Sequence, residues 1–296
     1  MPLRMNPMPR DKHRSDREHR EPGQATVPAP GLALAIAADR ECRRIGRALA
    51  DARHRHHGIH RARKGIRTLR ALLGLLEPAL DEANRVRLRR LDTRLKRVCR
   101  GLSPLRDAHV AAVTAGALRD TASPEERQVL EAALVAHRDG ATEEALRQDP
   151  AFGSRREAIA VIRQEIGNLP WTALDARAAK RAIKRSRRRT ERAERKAHRS
   201  PTSPLRHRWR RRLRRLRLQL QAYDDATAVE TAAPSSPGSS GHRALKRQTD
   251  RLGHLQDVQL LCRLARRIEP IRNDPHLRAV LAATMREARA EFAAGS

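Results

Sequence analysis

Residues 60–76, HRARKGIRTLRALLGLL, constrain the fold more than any other stretch of the chain. The segment has leucines at helical spacing, which give a helix an apolar stripe. It also has basic residues at i, i+3, i+7 and i+10, which share an arc of about 80° on the helix surface. The leucines are Leu69, Leu72, Leu73 and Leu76, and the basic residues are His60, Arg63, Arg67 and Arg70. The pattern predicts an amphipathic helix with a row of positive charge along one side.

The same pattern returns about half a chain later, at residues 207–220, HRWRRRLRRLRLQL. We define rail 1 as His60, Arg63, Arg67 and Arg70, and rail 2 as His207, Arg210, Arg214 and Arg217. A second motif follows in the same order, LSPLRDAHV at 102–110 and LGHLQDVQL at 252–260, and its register pairs Leu95 with Leu245. The distance between the copies, about half the chain, is too long for the repeat of a solenoid. The repetition of two motifs in the same order therefore predicts that the domain consists of two duplicated helical halves.

The two motifs together resemble the CHAD family, the conserved histidine α-helical domain. The resemblance covers roughly residues 32–293. It implies an all-α fold of two pseudo-symmetric helical bundles, an internal duplication, around a basic central cavity. It also implies binding of inorganic polyphosphate. Gln256 departs from the family's Arg-Asp, so one phosphate contact is expected to be missing there.

Phosphate contacts are expected from the two rails and from basic residues near them in the helical pattern. Arginine suits this role because its planar fork of donors matches phosphate oxygens. The expected polyphosphate-binding residues are His60, Arg63, Lys64, Arg67, Arg70, Lys96, Arg97, Arg106, Lys180, Lys184, Arg188, His207, Arg210, Arg211, Arg214, Arg217 and Lys246. Asp107 and Asp257 either orient a basic side chain or stabilise a first helical turn, and the sequence leaves both alternatives open.

The overall charge indicates a polyanionic partner. With 64 Lys and Arg against 34 Asp and Glu, the formal net charge is +30. Nucleic acid, polyphosphate and an anionic membrane surface all fit such an excess. Aromatic residues make up only 2% of the chain, which argues against base-stacking platforms for single strands. A protein that compacts nucleic acid through the same basic surface remains the alternative.

Metal binding and catalysis are not expected. His56 and His60 have chelating i, i+4 spacing, but neighbouring arginines crowd them with positive charge. The three cysteines, Cys42, Cys99 and Cys262, form no CxxC pair. There is no P-loop, no nucleophile with a base and no carboxylate cluster for Mg²⁺. We therefore expect no metal site, no cofactor and no enzymatic activity.

The chain divides at its N-terminus into a basic tail, residues 1–30, predicted to be disordered, and a helical domain, 31–296. The halves are expected at about 32–140 and 171–293, with a connection at about 141–170 and a flexible loop at 231–241. The chain has no apolar run of 18 residues, so no membrane span is expected. We read the apolar stretch 28–38 as the start of a helix and expect a cytoplasmic protein. Association with polyphosphate granules and the oligomeric state stay open.

Local signals add details that a structure can test. Ser123 with Glu126 forms a capping box, and Ser103 as the N-cap residue before Pro104 predicts another helix start. Gly58 predicts a break before the His60 helix. Ile36 is expected to face the core. Two successive helices are predicted through residues 245–264.

Overall fold

The computed structural model describes residues 30–118, 121–231, 240–269 and 271–294. Within these ranges the chain is all-α and contains no strand, which confirms the predicted fold class. The α-helices are α1 (Pro30–Ala50), α2 (Arg55–Leu76), α3 (Glu82–Gly101), α4 (Ser103–Gly116), α5 (Pro124–Gln148), α6 (Gly153–Gly167), α7 (Ala176–Arg199), α8 (Ser203–Thr231), α9 (Ser240–Ala265) and α10 (Pro275–Ala294). Three 3₁₀ turns lie at Glu77–Ala79, Pro150–Phe152 and Trp171–Ala173. The predicted tail, apart from Pro30, and most of the predicted loop lie outside the described residues.

Helix starts follow the local sequence at several sites. Ser123 and Glu126 form the complete capping box at the start of α5, and the Asp81 side chain accepts a hydrogen bond from the Asn84 backbone N–H at the start of α3. Both arrangements satisfy backbone donors that a helix leaves without an internal partner. The prediction of a Ser103 cap was wrong, because Leu102 precedes the first turn of α4 and makes no side-chain cap.

The crossing of α1 and α2 corrects the prediction for Gly58. The break falls earlier, between Ala50 and Arg55, and Gly58 lies inside α2. A Cβ at Gly58 would stand 2.2 Å from the Ala48 carbonyl oxygen. The glycine is therefore explained by the close approach of two backbones rather than by a helix break.

The core-facing side of α1 also differs from the prediction. Ile36 is 53% exposed. The buried side chains of α1 recur at helical spacing and are Leu34, Ala38, Cys42, Ile45 and Leu49. Because Ile36 lies about 200° round the helix from Leu34, it faces away from this stripe.

Two large cores hold the helices, and each contains residues of both predicted halves. The first core is built mainly from α1, α2, α3, α6 and the start of α7. The second combines α4 and α5 with the C-terminal part of α9 and with α10. Residue 140 lies inside α5, and α6 packs on α1 and α3. The predicted connection therefore contributes to the first core, while pseudo-twofold symmetry stays a prediction.

One difference separates the two copies of the second motif. In the first copy α3 ends and α4 begins at Leu102. In the second copy α9 runs through without a break, so the prediction of two helices there was wrong. The sequence explains the contrast, because Pro104 in the first copy is replaced by His254 in the second. Proline lacks the N–H that continues a helix.

None of the described helices is long and apolar enough to cross a bilayer.

Candidate functional site: a basic cavity between the two rails

Helices α2 and α8 pack against each other, and their rails border one cavity of about 1200 Å³. We call it the basic cavity. Parts of α4, α9 and α10 complete its wall. Seven of the eight rail residues line it, and they are His60, Arg63, Arg67, His207, Arg210, Arg214 and Arg217. The apolar stripes of the two helices are buried, so the opposite, cationic sides border the open space.

Rail 1 loses its last member to a carboxylate on another helix. Nε of Arg70 donates to Oδ1 of Asp92 at 2.6 Å, and Arg70 does not line the cavity. Nζ of Lys96 lies 2.6 Å from the other oxygen of the same carboxylate. Both cations, predicted as phosphate contacts, are therefore held at α3.

Other predicted residues also lie away from the cavity. Lys64 and Arg106 line it, but eight of the seventeen predicted contacts do not, and these are Arg70, Lys96, Arg97, Lys180, Lys184, Arg188, Arg211 and Lys246. Lys180, Lys184 and Arg188 are exposed on α7. Lys246 pairs with Asp250 at 2.8 Å. The spacing of basic residues along one helix does not show which side of that helix faces the cavity, because the neighbouring helices determine this.

Four arginines of the wall were not predicted. They are Arg263, Arg266, Arg267 and Arg289, from the end of α9, the turn after it and α10. The i, i+3, i+4 spacing of the first three is a signal the sequence contains. The internal repeat does not point to these arginines, because the corresponding positions in the first copy are Val113, Gly116 and Ala117.

The charge of the cavity is poorly balanced. Among the described residues, eleven Lys and Arg side chains line it, against three Asp. Burial lowers the pKa of Arg214 to about 9 and that of Arg67 to about 10, and neighbouring arginines add to both shifts. Both groups remain charged at neutral pH, so the lowered pKa values record the cost of burying these charges and, after it, their crowding by like charges.

Several donors of the wall are buried without a partner in the described chain. They are Nε of Arg63, Arg210 and Arg217, and Nε2 of Gln256. Leaving a buried donor unpaired costs about 1–3 kcal/mol. All four residues line the cavity, so an acceptor there would satisfy these donors only after a shift of the side chains.

Neutral acceptors orient the second member of each rail. Nη1 of Arg63 donates to Oγ of Ser103 at 2.7 Å and also to the Cys99 carbonyl. Ser103 was predicted as a helix cap and instead positions this guanidinium. On the other side, Nη1 of Arg210 donates to Oε1 of Gln256 at 2.9 Å.

Gln256 serves a second rail residue as well. The same Oε1 lies 3.2 Å from Nδ1 of His207. Gln256 was expected only to mark a missing phosphate contact. It contacts two members of rail 2 instead, and it does so without adding charge.

Two aspartates hold Arg106. Its Nη1 donates to Oδ1 of Asp107 at 3.0 Å, and its Nη2 donates to Oδ1 of Asp257 at 3.1 Å. Neither aspartate lies in the first turn of its helix. Of the two alternatives from the sequence, the structure therefore favours orientation of a basic side chain.

Both rail histidines have lowered pKa values. For His60 and His207 burial is the main cause, and nearby arginines, Arg67 and Arg211 respectively, add to it. With pKa values below their ordinary 6.5, both imidazoles are mainly neutral at pH 7. Each therefore can take up a proton when negative charge approaches.

The histidines considered for metal binding make other contacts. Nε2 of His56 lies 3.2 Å from Oδ1 of Asp139, and its ring stacks on His109 with the centroids 5.3 Å apart. Within the described ranges there is no group of three or more His, Cys, Asp or Glu suited to hold a metal ion.

Comparisons with known proteins agree with this architecture. The family model described as the CHAD domain matches residues 36–266. The crystal structure of the CHAD domain from the plant Ricinus communis matches with a TM-score of 0.59 and 17% identity, over 90% of this chain and 88% of that one. At that identity the likeness shows the fold alone. No curated protein matches the chain. The family match covers most of the sequence and confirms the resemblance seen in the two repeated motifs: the chain belongs to the CHAD family.

Proposed function

We propose that this protein binds inorganic polyphosphate in the basic cavity. The observation that carries the proposal is that rails from two distant parts of the chain border one cavity with eleven cations and three carboxylates. The family is linked to polyphosphate binding, which supports the choice among polyanions.

The chemistry of the wall suits a chain of phosphates. Each internal phosphate carries roughly one negative charge and offers oxygens as acceptors. Eleven cations less three aspartates leave an excess of eight positive charges. The guanidinium groups of Arg63, Arg210 and Arg217 supply hydrogen-bond donors beside these charges. A polyphosphate segment would relieve the crowding of like charge and accept hydrogen bonds from these groups.

We infer binding without cleavage. Phosphoryl transfer needs carboxylates free to hold Mg²⁺ ions. Asp107 and Asp257 are engaged with Arg106, and Asp250 pairs with Lys246. The carboxylates of the described cavity wall therefore hold cations of the protein.

Nucleic-acid binding is the second candidate, and the exposed basic face of α7 favours it. Lys180, Lys184 and Arg188 lie there, outside the cavity. A duplex presents its phosphates on a wide, stiff surface and therefore suits an open face better than a cavity. A flexible polyphosphate chain suits the cavity.

A displacement assay separates the candidates. Labelled polyphosphate is bound at physiological salt and displaced by unlabelled polyphosphate or by duplex DNA, compared per phosphate. The proposal predicts that DNA requires at least about a tenfold higher concentration, equivalent to about 1.4 kcal/mol. Equal displacement per phosphate would support the nucleic-acid candidate.

A further inference from the structure

Helix α8 has a second row of arginines on a side away from rail 2. Arg208, Arg212 and Arg215 lie at i, i+4 and i+7, and they do not line the basic cavity. The row is centred about 140° round the helix from rail 2. At the corresponding positions of α2 the sequence has Arg61, Gly65 and Thr68. The repeat that accounts for the rails therefore does not account for this row.

Arg215 lines a separate pocket of about 300 Å³. The pocket lies where α3, α7 and α8 meet the end of α2 and the 3₁₀ turn after it. We call it the arginine pocket. In the part of the chain that the structure describes, five guanidinium groups line it, from Arg85, Arg89, Arg185, Arg189 and Arg215. Glu77 is the carboxylate among its described lining residues, and Ser186 adds a hydroxyl.

Space for Arg215 is provided by a glycine. A Cβ at Gly74 would stand 2.0 Å from Nη2 of Arg215. Any other residue at position 74 would push this guanidinium aside. Burial is also the main reason that the pKa of Arg215 is lowered. The guanidinium therefore lies in a recess beside Gly74 rather than extended into solvent.

The pocket keeps an excess of positive charge after its local partners are counted. Arg85 and Arg89 share Glu82, at 3.4 and 3.3 Å. Glu77 supplies a second carboxylate, and the C-terminus of α2 contributes about half a negative charge. Against five guanidinium groups, roughly two to three positive charges remain unbalanced.

We propose that the arginine pocket is a second anion site, which takes a small phosphate group with two to three negative charges. Inorganic diphosphate and a phosphate monoester have this charge. The volume is at the lower end for ligand pockets, which favours a small ligand over a long chain. Guanidinium groups from three helices surround such a ligand with paired donors. This site is independent of polyphosphate binding in the basic cavity.

Titration calorimetry with inorganic diphosphate tests the proposal on the full chain. Arg185→Ala with Arg189→Ala removes two exposed members of the pocket, so the variant is expected to fold. Its diphosphate affinity should fall at least about tenfold, while its polyphosphate affinity stays within about twofold. Arg192→Ala with Arg195→Ala removes the same charge from the exposed part of α7 and serves as the control.

The cavity variant Arg67→Ala with Arg214→Ala distinguishes this proposal from the preceding one. It should retain tight diphosphate binding and lose polyphosphate binding. An unchanged diphosphate affinity in the pocket variant, or an equal loss in the control, overturns the proposal whatever happens to polyphosphate. Arg215→Gln gives a second pocket variant, with circular dichroism to verify folding.

A longer chain ends in a phosphate of the same chemistry, so the source of the ligand is tested separately. Diphosphate is displaced from the cavity variant by polyphosphate. If the displacement of diphosphate depends on the concentration of polyphosphate chain ends, the pocket binds the terminal phosphate of a chain. Displacement that requires free diphosphate or a phosphate monoester identifies a site for small anions.

Discussion

Rails 1 and 2 match in sequence but end differently in the structure. Arg70, the last cation of rail 1, is bound by Asp92 and does not line the cavity. Arg217, its counterpart in rail 2, lines the cavity. In the register that pairs Leu95 with Leu245, the position of Asp92 is taken by His242, which has no carboxylate. A single acidic residue on a neighbouring helix therefore decides whether a repeated arginine is available.

The second members of the rails show the opposite arrangement. Arg63 donates to Ser103 and to a carbonyl, and Arg210 donates to Gln256. These acceptors are neutral, so they orient the guanidinium group without cancelling its charge. An arginine bonded to a neutral acceptor keeps its positive charge available to an anion, whereas an arginine paired with a carboxylate does not. The position of the arginine in the repeat matters less than the charge of its acceptor.

The largest effect on polyphosphate binding is expected when each rail loses the arginine whose charge is least compensated by nearby carboxylates. Arg67→Ala with Arg214→Ala should weaken polyphosphate binding by about 3–6 kcal/mol if the effects add, and by less if the flexible chain shifts. Thermal stability should not fall through loss of charge, because both groups are crowded by other arginines. Isothermal titration and thermal melting give the two readouts.

Its control is Arg192→Ala with Arg195→Ala, which removes the same charge from the exposed part of α7. We expect a loss under about 1 kcal/mol there. Equal losses in the two double variants would mean that the ligand responds only to net charge.

Arg106→Gln makes the first copy resemble the second at this position. The variant loses one cation and frees Asp107 and Asp257 from their shared partner. Polyphosphate affinity should fall by about 1.5–3 kcal/mol, measured by titration calorimetry. Arg97→Gln, at an exposed position of α3 outside the cavity, is the matched control. A loss no larger than in this control would remove Arg106 from the site.

Because of the two rail histidines, we expect the affinity for polyphosphate to depend on pH. Bound phosphate should raise the lowered pKa values of His60 and His207, so binding takes up protons. The extra affinity is complete below the pKa of the free protein and is lost as pH rises through the higher pKa of the complex. We expect a gain on the order of 1 kcal/mol between pH 8 and pH 5. Calorimetry in buffers of different ionisation enthalpy measures the uptake, and a flat profile contradicts the prediction.

A double variant attributes that pH dependence to the rails. His60→Gln with His207→Gln should bind at pH 8 nearly as the wild type does and should gain little on acidification. An unchanged gain would assign the protons to other groups.

The smallest expected effect has the opposite sign. Asp92→Asn removes the charge that holds Arg70 at α3 and should make rail 1 more like rail 2. Polyphosphate affinity should rise by less than about 1 kcal/mol, measured by competition against the wild type. Glu125→Gln, an exposed acid in the first turn of α5, removes the same charge elsewhere. If both variants bind equally, net charge alone explains the gain.

Helical periodicity and repetition predict the fold class and most of the cavity's cations, because both depend on spacing within one helix. Arg70 could not be assigned in this way, since Asp92 lies on another helix. Gly58 was misread for the same reason, because its cause is the backbone of α1 rather than its own segment.

The internal repeat does not predict cavity residues that occur in only one of the two copies. Arg263, Arg266 and Arg267 have helical spacing but no basic counterparts in the first copy, so the repeat draws attention away from them. The cavity is therefore more basic on the α9 side than a strict duplication implies.

A crystal structure with a bound linear oligophosphate would show whether both rails contact one phosphate chain. Our account predicts one chain in the basic cavity, with phosphate oxygens about 2.7–2.9 Å from guanidinium nitrogens of both Arg67 and Arg214. An oligophosphate bound only along the exposed face of α7, at Lys180, Lys184 and Arg188, would contradict it.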